Sequence, residues 1–259
     1  MEEDKRKLKK YFHKNSILMC YRGSIAHNMY IPGDDPNSID DIDLLGIFMA
    51  PIGYYIGLDN YKPTQEKFVD EYDIVEFELK KMVGMLLKSN PNVLSILNLK
   101  NEHYIYLSNV AKKLLHNKEM FYSLKAYNTF TKYAHDQLNK MEKFSFKGYM
   151  GEKRKKLVEE FGFDCKNASH CIRLLRMGIE FLETCELNVF RDKDHEELLD
   201  IKKGKYSLAE IKSEAEDLFK KAKVAYLKSD LPTAPDYYKV NELTKEIIYS
   251  HLEENYGKS

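Results

Sequence analysis

Five of the seven prolines fall between Pro32 and Pro91, and the next does not occur until Pro232. Proline lacks a backbone donor and clashes with the preceding turn, so it breaks helix interiors. The long proline-free stretch is full of Lys, Glu and Leu, and reads as helical. The first hundred or so residues must be mixed instead. This division predicts an α+β class, with a strand-bearing part over residues 1–105 and an all-helical part over 106–259.

Within the first part, a charged helix is expected over about residues 3–13. Ser16-Ile-Leu-Met-Cys-Tyr is a short apolar run ending just before Gly23, as a buried strand would. Gly33-Asp-Asp-Pro-Asn-Ser is turn chemistry. Ile42 to Met49 makes a second β-prone run, and Lys67 to Phe77 alternates loosely as a third. A helix follows through Leu87, and Asn90-Pro91 supplies an N-cap and an N1 proline for another. Beyond about residue 105 only helices are expected, one of them opened by the capping box Ser207-Leu-Ala-Glu210.

Charge and composition narrow the partners. Forty-one basic and forty-one acidic residues cancel, so any grip on nucleic acid must come from a local patch. No apolar run approaches a membrane span, and the charged N-terminus lacks an apolar leader core. Cytoplasmic residence and no membrane partner are the resulting expectations. Cys20, Cys165, Cys171 and Cys185 lack CxxC spacing, which favours reduced, mostly buried thiols over a metal cluster.

Chemistry concentrates in Gly23-Ser24 and Asp41-Ile42-Asp43. Aspartates at i and i+2 on a strand share a face, and two like charges there are tolerable when a hard divalent cation lies between them. Ile42 and Leu44, on the alternate face, would anchor the strand in a core. A glycine lets backbone approach a ligand, and successive N–H groups with the Ser24 hydroxyl suit phosphate oxygens. Together these describe a site for a nucleoside triphosphate, bridging metals and in-line displacement at phosphorus. A third carboxylate on a neighbouring strand would complete it. Asp73 is the first choice, with Glu76 and Glu71 behind it; a one-residue register slip would exchange their faces.

The run Arg22-Gly-Ser-Ile-Ala-His-Asn-Met-Tyr, followed by Ser38-Ile-Asp-Asp-Ile-Asp-Leu-Leu-Gly-Ile-Phe, resembles the signature of DNA polymerase β superfamily nucleotidyltransferases. Met49-Ala-Pro-Ile-Gly-Tyr-Tyr, the Asp73 stretch leading to Asn90-Pro-Asn-Val-Leu, and Lys166-Asn-Ala-Ser-His-Cys-Ile-Arg are similar to one subgroup, the YcgL-like, RNA-repair-pathway polymerase β family. Asn28 stands where that pattern commonly has glycine, and Ile39-Asp40 replaces the usual serine. The resemblance implies a catalytic domain over 1–105, built on a small mixed sheet with flanking helices. It implies a helical domain over 106–259 that helps bind nucleotide or acceptor. Transfer of a nucleoside monophosphate from an NTP to an acceptor hydroxyl would follow, with pyrophosphate released. Asp41 and Asp43 would ligate two Mg²⁺ ions (Mn²⁺ as the alternative). Asp73 would ligate the catalytic one, and Gly23 and Ser24 would hold the β- and γ-phosphates. An RNA 3′ end is the implied acceptor; a small molecule or protein hydroxyl, or a nucleotide-binding module without catalysis, are the competing readings. Oligomeric state stays open.

In the second part, Ala168, Ile172, Leu175, Ile179 and Leu182 form one apolar stripe of a helix over 166–182. Lys166, His170 and Arg173 fall on the roughly opposite face, either a solvated basic surface or a grip on phosphate; the resemblance favours the grip, with Arg176 at its edge. His27 is read as a nucleotide contact or a loop-orienting group. Lys202, Lys203 and Lys205 are expected to be a solvated basic loop, and Tyr54, Tyr55, Tyr237 and Tyr238 to be incidental.

Overall fold

The computed structural model describes residues 7–33, 35, 41–142 and 152–256. The chain divides into two compact units: Met1–Ala26, Asp41–Tyr122 and Ala234–Ser259 form one, His27–Asp40 and Ser123–Thr233 the other. The expected opening helix and the Gly33-Asp-Asp-Pro turn lie partly outside the described residues, and Ser38 to Asp40 wholly so.

The first unit is built on β1 (Ser16–Tyr21), β2 (Ile42–Phe48), β3 (Thr64–Val69), β4 (Tyr72–Glu78) and β5 (Tyr104–Leu107). Their order across the sheet is β3-β4-β2-β1-β5, with β2 and β4 parallel and the other pairs antiparallel. Short helices α1 (Gly23–Ala26) and α2 (Ile52–Ile56) follow β1 and β2; α3 (Leu79–Leu86), α4 (Pro91–Leu94) and α5 (Asn109–His116) come later. Asn90 caps α4 through a hydrogen bond from Asn92 N–H, as its sequence signal indicates. One face of the sheet packs Met19, Leu44, Ile74 and Ile105 with Leu8. Ile42 and Leu44 anchor β2 in that core, as alternation requires.

Two strand expectations change. The single strand foreseen over Lys67 to Phe77 is a hairpin, β3 and β4, turned at Asp70 with φ +54°. Loose alternation hides such a turn because aspartate, unlike a β-branched residue, tolerates left-handed backbone. β5 also falls at the very start of the region read as wholly helical; Tyr104-Ile-Tyr-Leu is a β-prone run that joins β1 as an edge.

The second unit holds α6 (Lys125–Glu142), α7 (Glu152–Phe161), α8 (Cys165–Thr184), α9 (His195–Lys202) and α10 (Leu208–Lys228). Helices α6, α9 and α10 all pack on α8, which therefore buries residues nearly all round, including Ala168, Ile172, Leu175, Ile179 and Leu182. The Ser207–Glu210 capping box opens α10. The last helix, α11 (Tyr237–Tyr256), belongs to the first unit, where it packs on α3 and α5 and buries Val240, Leu243 and Ile247. The division at residue 105 thus gives way to units that are discontinuous in sequence. Among the described residues, no helix is long and apolar enough to cross a membrane.

Candidate active site

The register of the three central strands builds the site. Asp43 on β2 pairs with Asp73 on parallel β4, so the two carboxylates leave the same face side by side. Tyr21 pairs with Leu44 on antiparallel β1, which sets the next residue, Arg22, opposite Asp43. The Arg22 N–H donates to the Asp43 carbonyl at 2.9 Å and extends the ladder by that one step. Arg22, Asp43 and Asp73 therefore stand in a row across β1, β2 and β4.

Their side chains meet. One terminal nitrogen of Arg22 lies 3.3 Å from Asp43 Oδ1 and 3.1 Å from Asp73 Oδ2. Both carboxylates reach solvent, at 28% and 42% exposure. Gly23 follows with φ +60°, and a β-carbon there would overlap the Asp43 carboxylate, so only glycine lets α1 start this close to the acid. Ser24, in the first turn of α1, is buried. Asp41 stands exposed immediately before β2 begins.

The opposite pleat takes Glu76. It pairs with Gly46, is 1% exposed, and accepts a hydrogen bond from His13 N–H at 2.8 Å. A β-carbon on Gly46 would stand 2.9 Å from Glu76 Cγ, so that glycine makes the room. Burial pushes the Glu76 carboxyl above its ordinary range. Geometry therefore joins Asp73, not Glu76, to Asp43. Arg22 is the residue that sequence reasoning passed over. It flanks the Gly-Ser pair, and only pairing across strands shows that it faces both acids.

Among the described residues, no three His, Cys, Asp or Glu side chains cluster as a ready metal cage. Asp43 and Asp73 nonetheless offer two solvent-reaching carboxylates at adjacent strand positions, a donor set suited to a hard divalent cation. The Arg22 guanidinium supplies the positive charge between them.

The other sequence candidates lie in the second unit, where Arg173 is buried and Lys166 and His170 are partly so. Arg173 is 7% exposed and donates to His27 Nε2 at 2.8 Å and to Met177 Sδ at 3.1 Å. Guanidinium has no acceptor, so His27 Nε2 must accept; the ring is the neutral tautomer whose Nδ1–H donates to the Val189 carbonyl at 2.9 Å. His27 is thus buried, with both ring nitrogens hydrogen-bonded. Asn28, next to it, has φ +60°, the left-handed backbone that makes glycine common at such a position. Burial pushes Arg173 down to about 9, and burial together with Arg173, Lys166 and Lys202 holds His170 well below the usual imidazole range. Lys166 and His170 are themselves partly buried.

Arg176 joins Glu197, Asp194 and Glu214 in an ion-pair network rather than lining an anion site. Lys202, expected in a solvated loop, is 2% exposed and donates to the Met29 carbonyl at 2.8 Å. Arg173 is covered because α6, α9 and α10 pack around α8; the periodicity of one helix carries no information about its neighbours. The cysteines stand as expected: all four are free, and Cys20, Cys165 and Cys171 are buried.

The strands thus bring a pair of aspartates beside a Gly-Ser turn. The family model RlaP, described as the RNA repair pathway DNA polymerase beta family, matches residues 1–245. The chain belongs to this family and is a nucleotidyltransferase. Among solved structures it is similar to a nucleotidyltransferase-like protein from Exiguobacterium sibiricum 255-15, at 10% identity and a TM-score of 0.31. That match covers 98% of this chain and 77% of the other. No curated protein matches the chain.

Proposed function

We propose that the chain transfers a nucleoside monophosphate from an NTP to an RNA 3′ hydroxyl, with Mg²⁺ held by Asp43 and Asp73. The observation that carries this reading is the register that sets Asp43 beside Asp73, with Gly23 against the Asp43 carboxylate. The RNA acceptor rests on the family's description as an RNA repair pathway family.

In this reading Asp43 and Asp73 hold the metal-bound nucleotide, and exposed Asp41 adds a ligand from the strand entry. Bound there, divalent metal neutralises charge on the phosphates and lowers the cost of the in-line step. Ser24 and the backbone N–H groups of α1 orient the β- and γ-phosphates. Asp73 lies where it can take the proton of the attacking hydroxyl. That oxygen bonds to the α-phosphorus as the bond to the bridging oxygen breaks, and pyrophosphate leaves with the electron pair.

The test is incubation with Mg²⁺, each α-labelled NTP in turn and total RNA, alongside the Asp43→Asn protein. Label should enter RNA with the wild type only. Label on a small molecule or a protein would move the acceptor, and no transfer from any of the four nucleotides would overturn the reading.

A further inference from the structure

We propose that Arg22 is the site's resident counter-cation: it competes with a divalent metal for Asp43 and Asp73, and gives up the carboxylates when nucleotide arrives, turning onto its phosphates. This rests on the nucleotidyl-transfer reading above and adds to it a residue that couples the binding of metal and nucleotide.

Three observations carry it. First, two carboxylates in parallel register on adjacent strands repel, and one terminal nitrogen of Arg22 touches both, at 3.3 and 3.1 Å. The charge that neutralises the pair is therefore the chain's own, standing where a shared cation would stand. Second, the contact uses the guanidinium poorly. A planar fork can bind one carboxylate through two parallel hydrogen bonds; here a single nitrogen is shared, and the buried Arg22 Nε has no hydrogen-bond partner. A phosphate group, with three oxygens in a tetrahedral array, can engage the fork more completely. Third, the backbone is fixed while the side chain is not enclosed. Arg22 N–H is tied to the Asp43 carbonyl, and the side chain is 27% exposed. The guanidinium can thus leave the acids without disturbing the strand, and Gly23-Ser24, the phosphate-binding turn of this reading, is the next residue pair along the chain.

The consequence has opposite signs for the two ligands. Two like unit charges about 4 Å apart repel by at least roughly 1 kcal/mol even at the dielectric of water, so Arg22 opposes a divalent cation on the same carboxylates. Replacing Arg22 should therefore tighten binding of metal alone while weakening binding of nucleotide. An arginine that merely braced the strands would weaken both when removed.

The experiment measures free Mn²⁺ by electron paramagnetic resonance, without nucleotide and then with a non-hydrolysable α,β-methylene NTP. It uses wild type, Arg22→Gln, Arg22→Lys and Asp43→Asn. Arg22→Gln should bind Mn²⁺ alone about 10-fold more tightly than wild type, and the nucleotide about 10-fold more weakly. Arg22→Lys keeps the charge and loses the fork, so its Mn²⁺ affinity should stay near wild type while its nucleotide affinity falls. This variant reads the nucleotide contact separately if Arg22→Gln folds poorly. Unchanged or weaker Mn²⁺ binding in Arg22→Gln, with binding abolished in Asp43→Asn, would overturn the role of Arg22 and leave the metal site standing. Equal Mn²⁺ binding in all four proteins would overturn both.

Discussion

At Gly23 the backbone lies at φ +60° and the space a β-carbon would occupy is already filled by the Asp43 carboxylate. Gly23→Ala must either push that carboxylate aside or unwind the start of α1. A displacement of about 1 Å in a catalytic group costs on the order of 10²-fold in rate. Gly23→Ala is accordingly expected to lower nucleotide transfer by about 100-fold in steady-state kinetics, while circular dichroism remains that of the wild type. The residues of this site differ in how far the sequence reveals them. Gly23, Asp41 and Asp43 announce themselves by type and spacing. Asp73 ranks ahead of Glu76 in the sequence, but both sit in one acidic run and a one-residue slip of the pleat would exchange them. The register sets Asp73 beside Asp43 and Glu76 beside Gly46. Arg22 was invisible as a functional group because its role arises from two strands distant in sequence.

The same limit appears at the level of elements. The helix over α8 was legible, including its N-terminal region and its apolar stripe, but the environment of its basic residues was not. A solvated basic face and a buried one share a single periodic pattern; only the packing partners separate them, and here α6, α9 and α10 pack on α8. The His27–Arg173 contact carries an asymmetric expectation. Removing His27 leaves a buried guanidinium without its main acceptor and frees the Val189 carbonyl, whereas removing Arg173 also removes the charge that burial penalises. His27→Phe should therefore cost about 2–4 kcal/mol, and Arg173→Met less than about 1 kcal/mol, measured by urea denaturation. Equal losses would show that the guanidinium is compensated by something other than His27. The β3–β4 hairpin was missed for a different reason: its turn is made at Asp70 without glycine or proline, so no strong punctuation marks it.

For the molecule as a whole, the α+β class followed from proline spacing and apolar runs, and the motif identified the chemistry. The partition into units did not follow, because α11 returns to the first unit after more than a hundred intervening residues. Nothing in its amphipathic pattern names the surface it will cover; Val240, Leu243 and Ile247 find theirs on helices α3 and α5. Net charge was equally uninformative about the site, since 41 basic and 41 acidic residues conceal one local row of Arg22, Asp43 and Asp73. That row is the centre of the account, and the most direct measurement is pyrophosphate release from the NTP that labels RNA, compared between Asp73→Asn and Glu76→Gln. Asp73→Asn is expected to lose on the order of 10²–10³ in kcat, with Glu76→Gln within a few-fold of wild type. Full activity in Asp73→Asn together with loss in Glu76→Gln would contradict it, by placing the working carboxylate on the other face of the sheet.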